Sequence, residues 1–224
     1  VIDEKKSLIK TISIILKENP LYIKEIILIL DKKKTKKRSK EVCKILCKKN
    51  KIIKKIYQTK PKLGGALING IELSKGSHIL IMSSDLETDP SSVKKMLKKS
   101  ISFPNHIIQA SRWESNNSFN EYGMLKEFLN FIFQKMFSYL FNIKCNDLTF
   151  GFRILPQRQI RKIKWEMLDH SFLFESLIKP AIRGTKIMII NSNWNKRTEG
   201  KSNNQFLNYF RYIFIGLKLY FKKY

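Results

Sequence analysis

Asp85 and Glu87 stand two residues apart at the end of the apolar run Ile79-Leu80-Ile81-Met82, with Asp89 close behind. Alternate residues of an extended segment project to one face, so these two carboxylates are expected to converge on one hard cation. Mg²⁺ or Mn²⁺ held there would bind a nucleotide diphosphate and neutralise the charge that develops as that group leaves. A plainer account fits the same residues. Asp89, ahead of Pro90-Ser91-Ser92, serves equally well as a helix cap, and Glu87 as a solvent-facing side chain.

The elements that must position these groups alternate in type. Apolar residues at Leu8, Ile9, Ile12, Ile15 and Leu16 mark an amphipathic helix over Lys5 to Lys17, stopped by Asn19-Pro20. Ile23 to Leu30 reads as a buried strand ending at Asp31, Ser39 to Lys48 as a helix, and Lys51 to Tyr57 as a short strand. Leu63-Gly64-Gly65-Ala66-Leu67 opens a helix to about Ser74, His78 to Met82 is a strand, and Val93 to Lys99 is a helix. Asn105 to Ala110 is the next strand, Leu125 to Phe141 a long aromatic helix, Asn146 to Gly151 a polar loop, and Lys186 to Asn191 a strand. A last helix runs from about Asn203. Strand and helix alternating with short connections predict an α/β, Rossmann-like, mostly parallel sheet flanked by helices, with ligands beyond the carboxyl ends of the strands. Asp31, Asp85 and Arg112 all fall there.

Composition sets the outer bounds. The 224 residues are 43% hydrophobic and 12% aromatic, enough for one globular domain with a sizeable core. Lys and Arg outnumber Asp and Glu 44 to 18, giving a formal charge of +26 and a strong field toward nucleic acid, acidic lipid or phosphorylated ligands. Lysines interleaved with Ile and Asn equally reflect genome base composition. Cys43, Cys47 and Cys145 are an odd number without zinc-ligand pairing, which favours neither a disulfide framework nor a zinc knuckle and fits a reducing compartment. The apolar tracts Met124 to Ile143 and Phe206 to Phe221 are broken by charged residues and fall short of the ~20 uncharged residues a bilayer crossing needs.

Five segments occur in order: Leu63-Gly64-Gly65-Ala66-Leu67, the strand leading to Asp85, Ser111-Arg112, Asp147-Leu148-Thr149-Phe150-Gly151-Phe152-Arg153, and Arg197-Thr198-Glu199-Gly200-Lys201-Ser202. Together they resemble the family 2 glycosyltransferases of the GT-A fold, near the dolichol- and polyprenyl-phosphate sugar synthases, over almost the whole chain. The resemblance implies an inverting transfer from a nucleotide-sugar donor, dependent on Mg²⁺ or Mn²⁺. By it, Asp3 and Glu4 match the family's Asn-Glu pair after the first strand, and Asp31 an acidic residue at the base or ribose. Gly64, Gly65 and Ser83 join this donor site, Asp85 and Glu87 hold the metal, and Asp147 lies near the reacting groups. Asp147 is the candidate base if the acceptor is a sugar hydroxyl, whereas a phosphate acceptor needs none. Arg112, Arg197 and Lys201 match residues that grip donor or acceptor phosphates. The alternative for Arg112 is a surface ion pair with Glu114 or Glu121, and Arg153 is expected in a buried pair with a carboxylate. The sequence departs from the pattern at Ser83, a neutral ligand where an Asp is usual, and at Asp31-Lys32-Lys33-Lys34, where an Asp-Asp-Gly-Ser turn is usual. The chain opens at Val1 without Met and is expected to be a fragment lacking most of the first strand.

The domain is expected over residues 1–202, followed at 203–224 by an amphipathic helix. Leu125, Phe128, Leu129, Ile132, Phe133, Met136, Phe137, Leu140 and Phe141 form one wide apolar stripe, and Phe206 to Phe221 another, both beside lysines. Such stripes either lie in a lipid interface or pack into the core. The resemblance favours the first, placing the protein in the cytoplasm, peripheral at the inner face of an anionic membrane, with a polyprenyl-phosphate or glycan acceptor. Two rival readings are a nucleotide-sugar-binding remnant without catalysis, motivated by Ser83 and the altered turn at Asp31, and a basic nucleic-acid-binding module. For the latter no groove-reading helix or stacking platform is recognisable, so nucleic acid is not an expected partner.

Overall fold

A computed structural model describes residues 1–19, 21–113, 124–195, 198–199 and 208–222; Pro20 and the segments between and beyond these are outside the described residues. Among the described residues six strands and eight helices follow in the order α1 (Lys6–Glu18), β1 (Ile26–Leu30), α2 (Lys37–Lys49), β2 (Ile53–Tyr57), α3 (Lys62–Leu73), β3 (His78–Ile81), α4 (Ser92–Ser102), β4 (Ile107–Ser111), α5 (Met124–Leu140), β5 (Arg153–Pro156), α6 (Gln157–Ile160), α7 (Phe172–Ile182), β6 (Ile187–Asn191) and α8 (Asn208–Phe221). The expected alternation of types holds through β4.

β1 pairs with β2 in parallel, and a four-stranded sheet runs β3-β5-β4-β6. β4 and β6 are parallel, while β5 enters antiparallel to both neighbours, with Arg153 opposite Ile81 on one side and Gln109 on the other. β5, α6 and α7 are additions to the elements read from the sequence. Arg-Ile-Leu-Pro is four residues long and carries a charge and a proline, so no period of two is visible in it. Its burial on both faces, in the middle of the sheet, is a tertiary property.

The pleat sends alternate residues of these strands into separate cores. Ile81, Ile107 and Leu155 face α3, α5, α7 and α8 in one cluster, while Ile108, Ala110, Ile154 and Ile190 face α1 and α4 in another. A third cluster, with Leu8, Ile12, Leu28 and Cys43, joins α1 and α2 to the β1-β2 pair. Helices thus cover both faces of the sheet, and the catalytic candidates are left to its carboxyl edge.

The two aromatic stripes divide. Phe133 and Phe137 of α5 and Ile215 and Leu219 of α8 are buried, whereas Phe128, Met136 and Tyr139 of α5 and Phe214, Leu217 and Phe221 of α8 are exposed. α8 sits close on α5, for a Cβ at Gly216 would come within 2.1 Å of the Phe137 ring. Its polar side is tied by Lys218 to Glu166 at 3.1 Å and by Arg211 to Asp169 at 2.6 Å. Among the described residues no helix is long and apolar enough to cross a membrane. The boundary expected at 202/203 lies outside the described residues.

Candidate active site at the carboxyl edge of the sheet

β3 ends at Ile81, and the chain turns before the acidic residues are reached. Leu86, between Asp85 and Glu87, has φ 67°, a left-handed conformation that costs a non-glycine residue about 1 kcal/mol. Asp85 stabilises this turn itself, its Oδ1 accepting the Glu87 amide at 3.1 Å. The extended geometry expected for Asp85 to Glu87 is therefore corrected: the two carboxylates belong to a tight turn, because the backbone hydrogen bond to Asp85 closes it. Asp85 is 4% exposed, Glu87 is half-buried, and Ser83 Oγ lies 3.0 Å from Thr88 Oγ1. Asp89 turns the chain toward α4, accepting from the Ser91 amide at 3.0 Å and the Ser91 hydroxyl at 2.8 Å just before that helix begins.

The segment after β6 runs antiparallel to this turn. Trp194 bridges Thr88, the Asn195 amide donates to the Glu87 carbonyl at 3.0 Å, and the Thr198 amide to the Asp85 carbonyl at 3.4 Å. The next residue, Glu199, reaches across to the start of α1, where one oxygen accepts from the Lys5 amide at 2.7 Å, the Ser7 amide at 3.0 Å and the Ser7 hydroxyl at 2.7 Å. Burial pushes the Glu199 carboxyl up, but these hydrogen bonds outweigh it and hold it down at about 2. α1 has no cap of its own among Lys5 and its neighbours, so this remote carboxylate supplies one. Sequence reasoning assigned Glu199 no role. An uncapped helix start and an acidic residue nearly two hundred positions away carry no local signal for each other.

The other acidic candidates lie just before α1 and just after β1. Glu4 accepts the amides of Ile2 and Asp3, and Asp3 pairs with Lys5 at 3.4 Å. Asp31 folds its own turn by accepting the amides of Lys33 at 2.8 Å and Lys34 at 2.9 Å, and the Lys34 amide foremost lowers its pKa. Thr35 then donates to the Val1 carbonyl at 2.8 Å, linking that turn to Asp3 and Glu4. Gly64 and Gly65 serve packing: a Cβ at Gly64 would lie 2.4 Å from the Met167 carbonyl, and the Gly65 amide donates to the Leu168 carbonyl at 3.0 Å.

The arginines exchange their expected parts. Arg112 closes on Asp147, its Nε donating to Oδ2 and its Nη2 to Oδ1, both at 2.8 Å, with its amide adding a third bond at 3.1 Å. The guanidinium also lies 4.7 Å from the centre of the Phe150 ring. Asp147 is fully buried, and a buried carboxylate needs such a counter-charge. Arg112 thus takes Asp147 as a partner, while Glu114 and Glu121, named as its alternative partners, lie outside the described residues. Arg153, expected beside a carboxylate, instead donates to the Phe150 carbonyl and to Ser176 Oγ, with no carboxylate within ion-pair distance among the described residues. Burial lowers its pKa to about 10. The loop bearing Asp147 is pinned from α5 by Gln134, which accepts the Leu148 amide at 2.7 Å and donates to Asn130. These two buried amides, four apart among aromatics, are further positioning groups the sequence reading passed over. Arg197 and Lys201 lie outside the described residues.

The donor set at the turn consists of carboxylate and hydroxyl oxygens, the ligands that Mg²⁺ and Mn²⁺ prefer. Among the described residues no group of three or more His, Cys, Asp or Glu is assembled to cage a metal. Two carboxylates fit a cation that completes its shell with water and phosphate, the usual manner of Mg²⁺ with nucleotides.

An α/β sheet flanked on both faces, with an acidic turn at the carboxyl end of β3, is the architecture of the GT-A fold class. Solved structures agree in fold. Glucosyl-3-phosphoglycerate synthase from Mycobacterium tuberculosis, in complex with Mn²⁺, UDP-glucose and phosphoglyceric acid, matches with TM-score 0.71 at 12% identity over 98% of this chain and 77% of that one. Its complex with Mn²⁺, UDP and phosphoglyceric acid gives 0.71 at 12% identity over 98% and 75%, and that with Mn²⁺, UDP-glucose and glycerol 3-phosphate 0.67 at 12% over 98% and 77%. Comparison with curated proteins gives no match. Glycosyl transferase family 2 matches residues 1–164, and the chain belongs to that family.

Proposed function

We propose that this protein is an inverting glycosyltransferase that moves a sugar from a nucleotide-sugar donor to a polyprenyl-phosphate or glycan acceptor, peripheral at the cytoplasmic face of a membrane. The observation that carries the reading is the acidic turn Asp85–Glu87 at the carboxyl edge of β3, in a chain of this family. Asp85 and Glu87 hold the cation, Ser83, Asp3, Glu4 and Asp31 line the donor, and Gly64 and Gly65 keep the neighbouring helix start close. The synthase of similar fold was crystallised with Mn²⁺, UDP-glucose and a phosphorylated acceptor, which supports this cofactor and donor class. Bound Mg²⁺ or Mn²⁺ supplies charge neutralisation at the leaving diphosphate.

In the reaction an acceptor oxygen forms a bond to the anomeric carbon while the bond to the nucleoside diphosphate breaks, and configuration inverts. Both oxygens of Asp147 are held by Arg112, which favours an acceptor that is already ionised over a hydroxyl that needs a base. Arg197 and Lys201 remain the cations assigned to acceptor phosphate, and Arg112 orders the loop that bears Asp147. The exposed aromatic faces of α5 and α8, beside Lys135, Lys218 and Lys222, support contact with anionic lipid.

Thermal-shift screening of UDP-, GDP- and dTDP-sugars with and without Mn²⁺ tests the donor assignment. One sugar nucleotide is expected to raise the melting point in a Mn²⁺-dependent manner, and Asp85→Asn to lower transfer by about 100-fold or more. No shift with any donor, together with unchanged turnover in Asp85→Asn, overturns the proposal.

A further inference from the structure

Trp194, Asn195 and Thr198 each touch the acidic turn, and Glu199, the residue after them, is anchored elsewhere. Trp194 opposite Thr88, the Asn195 amide on the Glu87 carbonyl and the Thr198 amide on the Asp85 carbonyl hold the backbone of the turn from outside. Thr198 also turns its hydroxyl to the Asp85 carbonyl at 3.4 Å. The hydrogen bonds at Asp85 are long, so the pairing depends on what fixes its far end. Glu199 is that fixture: its carboxylate sits on the first turn of α1, gathering the Lys5 amide and both donors of Ser7. An anion on the orphan amides of a helix start is a strong, charge-assisted attachment. Leu86, held with φ 67° between the two carboxylates, needs such a restraint, since a left-handed non-glycine residue relaxes when its surroundings let it.

We propose that Glu199 is a positioning residue for the cation site, latching the segment after β6 onto α1 so that it clamps the Asp85–Glu87 turn in its bent form. The proposal rests on the reading of that turn as the cation site. A further consequence is that α1 and the acidic turn, on different parts of the chain, answer to one carboxylate.

The experiment compares Glu199→Ala and Glu199→Gln with the unaltered protein by amide hydrogen exchange and by titration with Mn²⁺ alone. Glu199→Ala is expected to speed exchange at Asn195 and Thr198 about tenfold, besides Lys5 and Ser7, and to weaken Mn²⁺ binding by about tenfold, the scale seen when groups that orient metal ligands are removed. Glu199→Gln keeps an acceptor oxygen and is expected to fall between. Should Glu199→Ala fail to fold, Ser7→Ala removes one donor to the latch and carries the same readouts. Faster exchange at Lys5 and Ser7 with unaltered rates at Asn195 and Thr198 overturns the proposal, reducing Glu199 to a helix cap. If exchange at Asn195 and Thr198 responds but the unaltered protein takes up no Mn²⁺, the latch stands and the cation reading falls.

Discussion

Asp147 and Asp85 are both buried carboxylates, yet their substitutions are expected to act on different quantities. Asp147→Asn breaks the buried, bidentate pair with Arg112 and is expected to destabilise the fold by about 3–5 kcal/mol, read as a lower midpoint of urea unfolding. Asp85→Asn keeps an oxygen that can accept the Glu87 amide and so preserve the turn, and is expected to affect transfer far more than melting. Gly64→Ala forces a methyl against the Met167 backbone and is expected to cost about 1–3 kcal/mol. Glu199 makes stability depend on acid. Its carboxyl is held at about 2 in the folded protein against an ordinary 4.5, so its contribution is complete above about 4.5 and is lost as pH falls from there toward 2. The melting temperature of the unaltered protein is expected to fall more steeply between pH 5 and 3 than that of Glu199→Gln, measured by scanning calorimetry in matched buffers. At this scale the sequence announces which residues are acidic and which follow a strand. It does not announce which arginine takes which carboxylate: Arg112 and Arg153 look alike in the chain, and only burial of Asp147 beside the end of β4 decides the pairing.

Elements with a strong period were legible, and those whose identity depends on neighbours were not. α1 is visible in the spacing of Leu8, Ile12 and Ile15, all of which are buried, and β3 in its run of Ile and Leu. β5 was illegible because its four residues acquire strand geometry only by pairing with β3 and β4 at once. The turn at Leu86 was illegible for the same reason, its shape being completed by Trp194, Asn195 and Thr198. α5 and α8 were read as apolar stripes that lie in lipid or pack inward, and each does part of its burying in the protein while leaving a second aromatic face outside. Their mutual fit is sharp at one place. Gly216→Ala places a methyl within 2.1 Å of the Phe137 ring and is expected to displace α8 at a cost of about 1–3 kcal/mol, detectable as lower Tm and raised binding of a hydrophobic dye.

Across the whole molecule the charge of +26 and the outward aromatics of α5 and α8 act on the same kind of surface. Co-sedimentation is expected with anionic but not zwitterionic liposomes, weakening as salt rises because each lysine near such a surface contributes about 1 kcal/mol that counter-ions screen. Replacing Phe214 and Phe221 together by Ser is expected to lower the bound fraction about tenfold or more while leaving the buried Ile215 and Leu219 in place. The insertion of β5 between β3 and β4 also governs the order of events on the ribosome. β3 and β4 have no hydrogen bonds to share until Pro156 has been synthesised, an interval on the order of ten seconds at ordinary rates of translation. Throughout it the nascent chain displays two Ile-rich edges that invite pairing with any other extended polypeptide, so this protein is expected to lean on holding chaperones during its own manufacture and to aggregate when it is expressed faster than they can serve it.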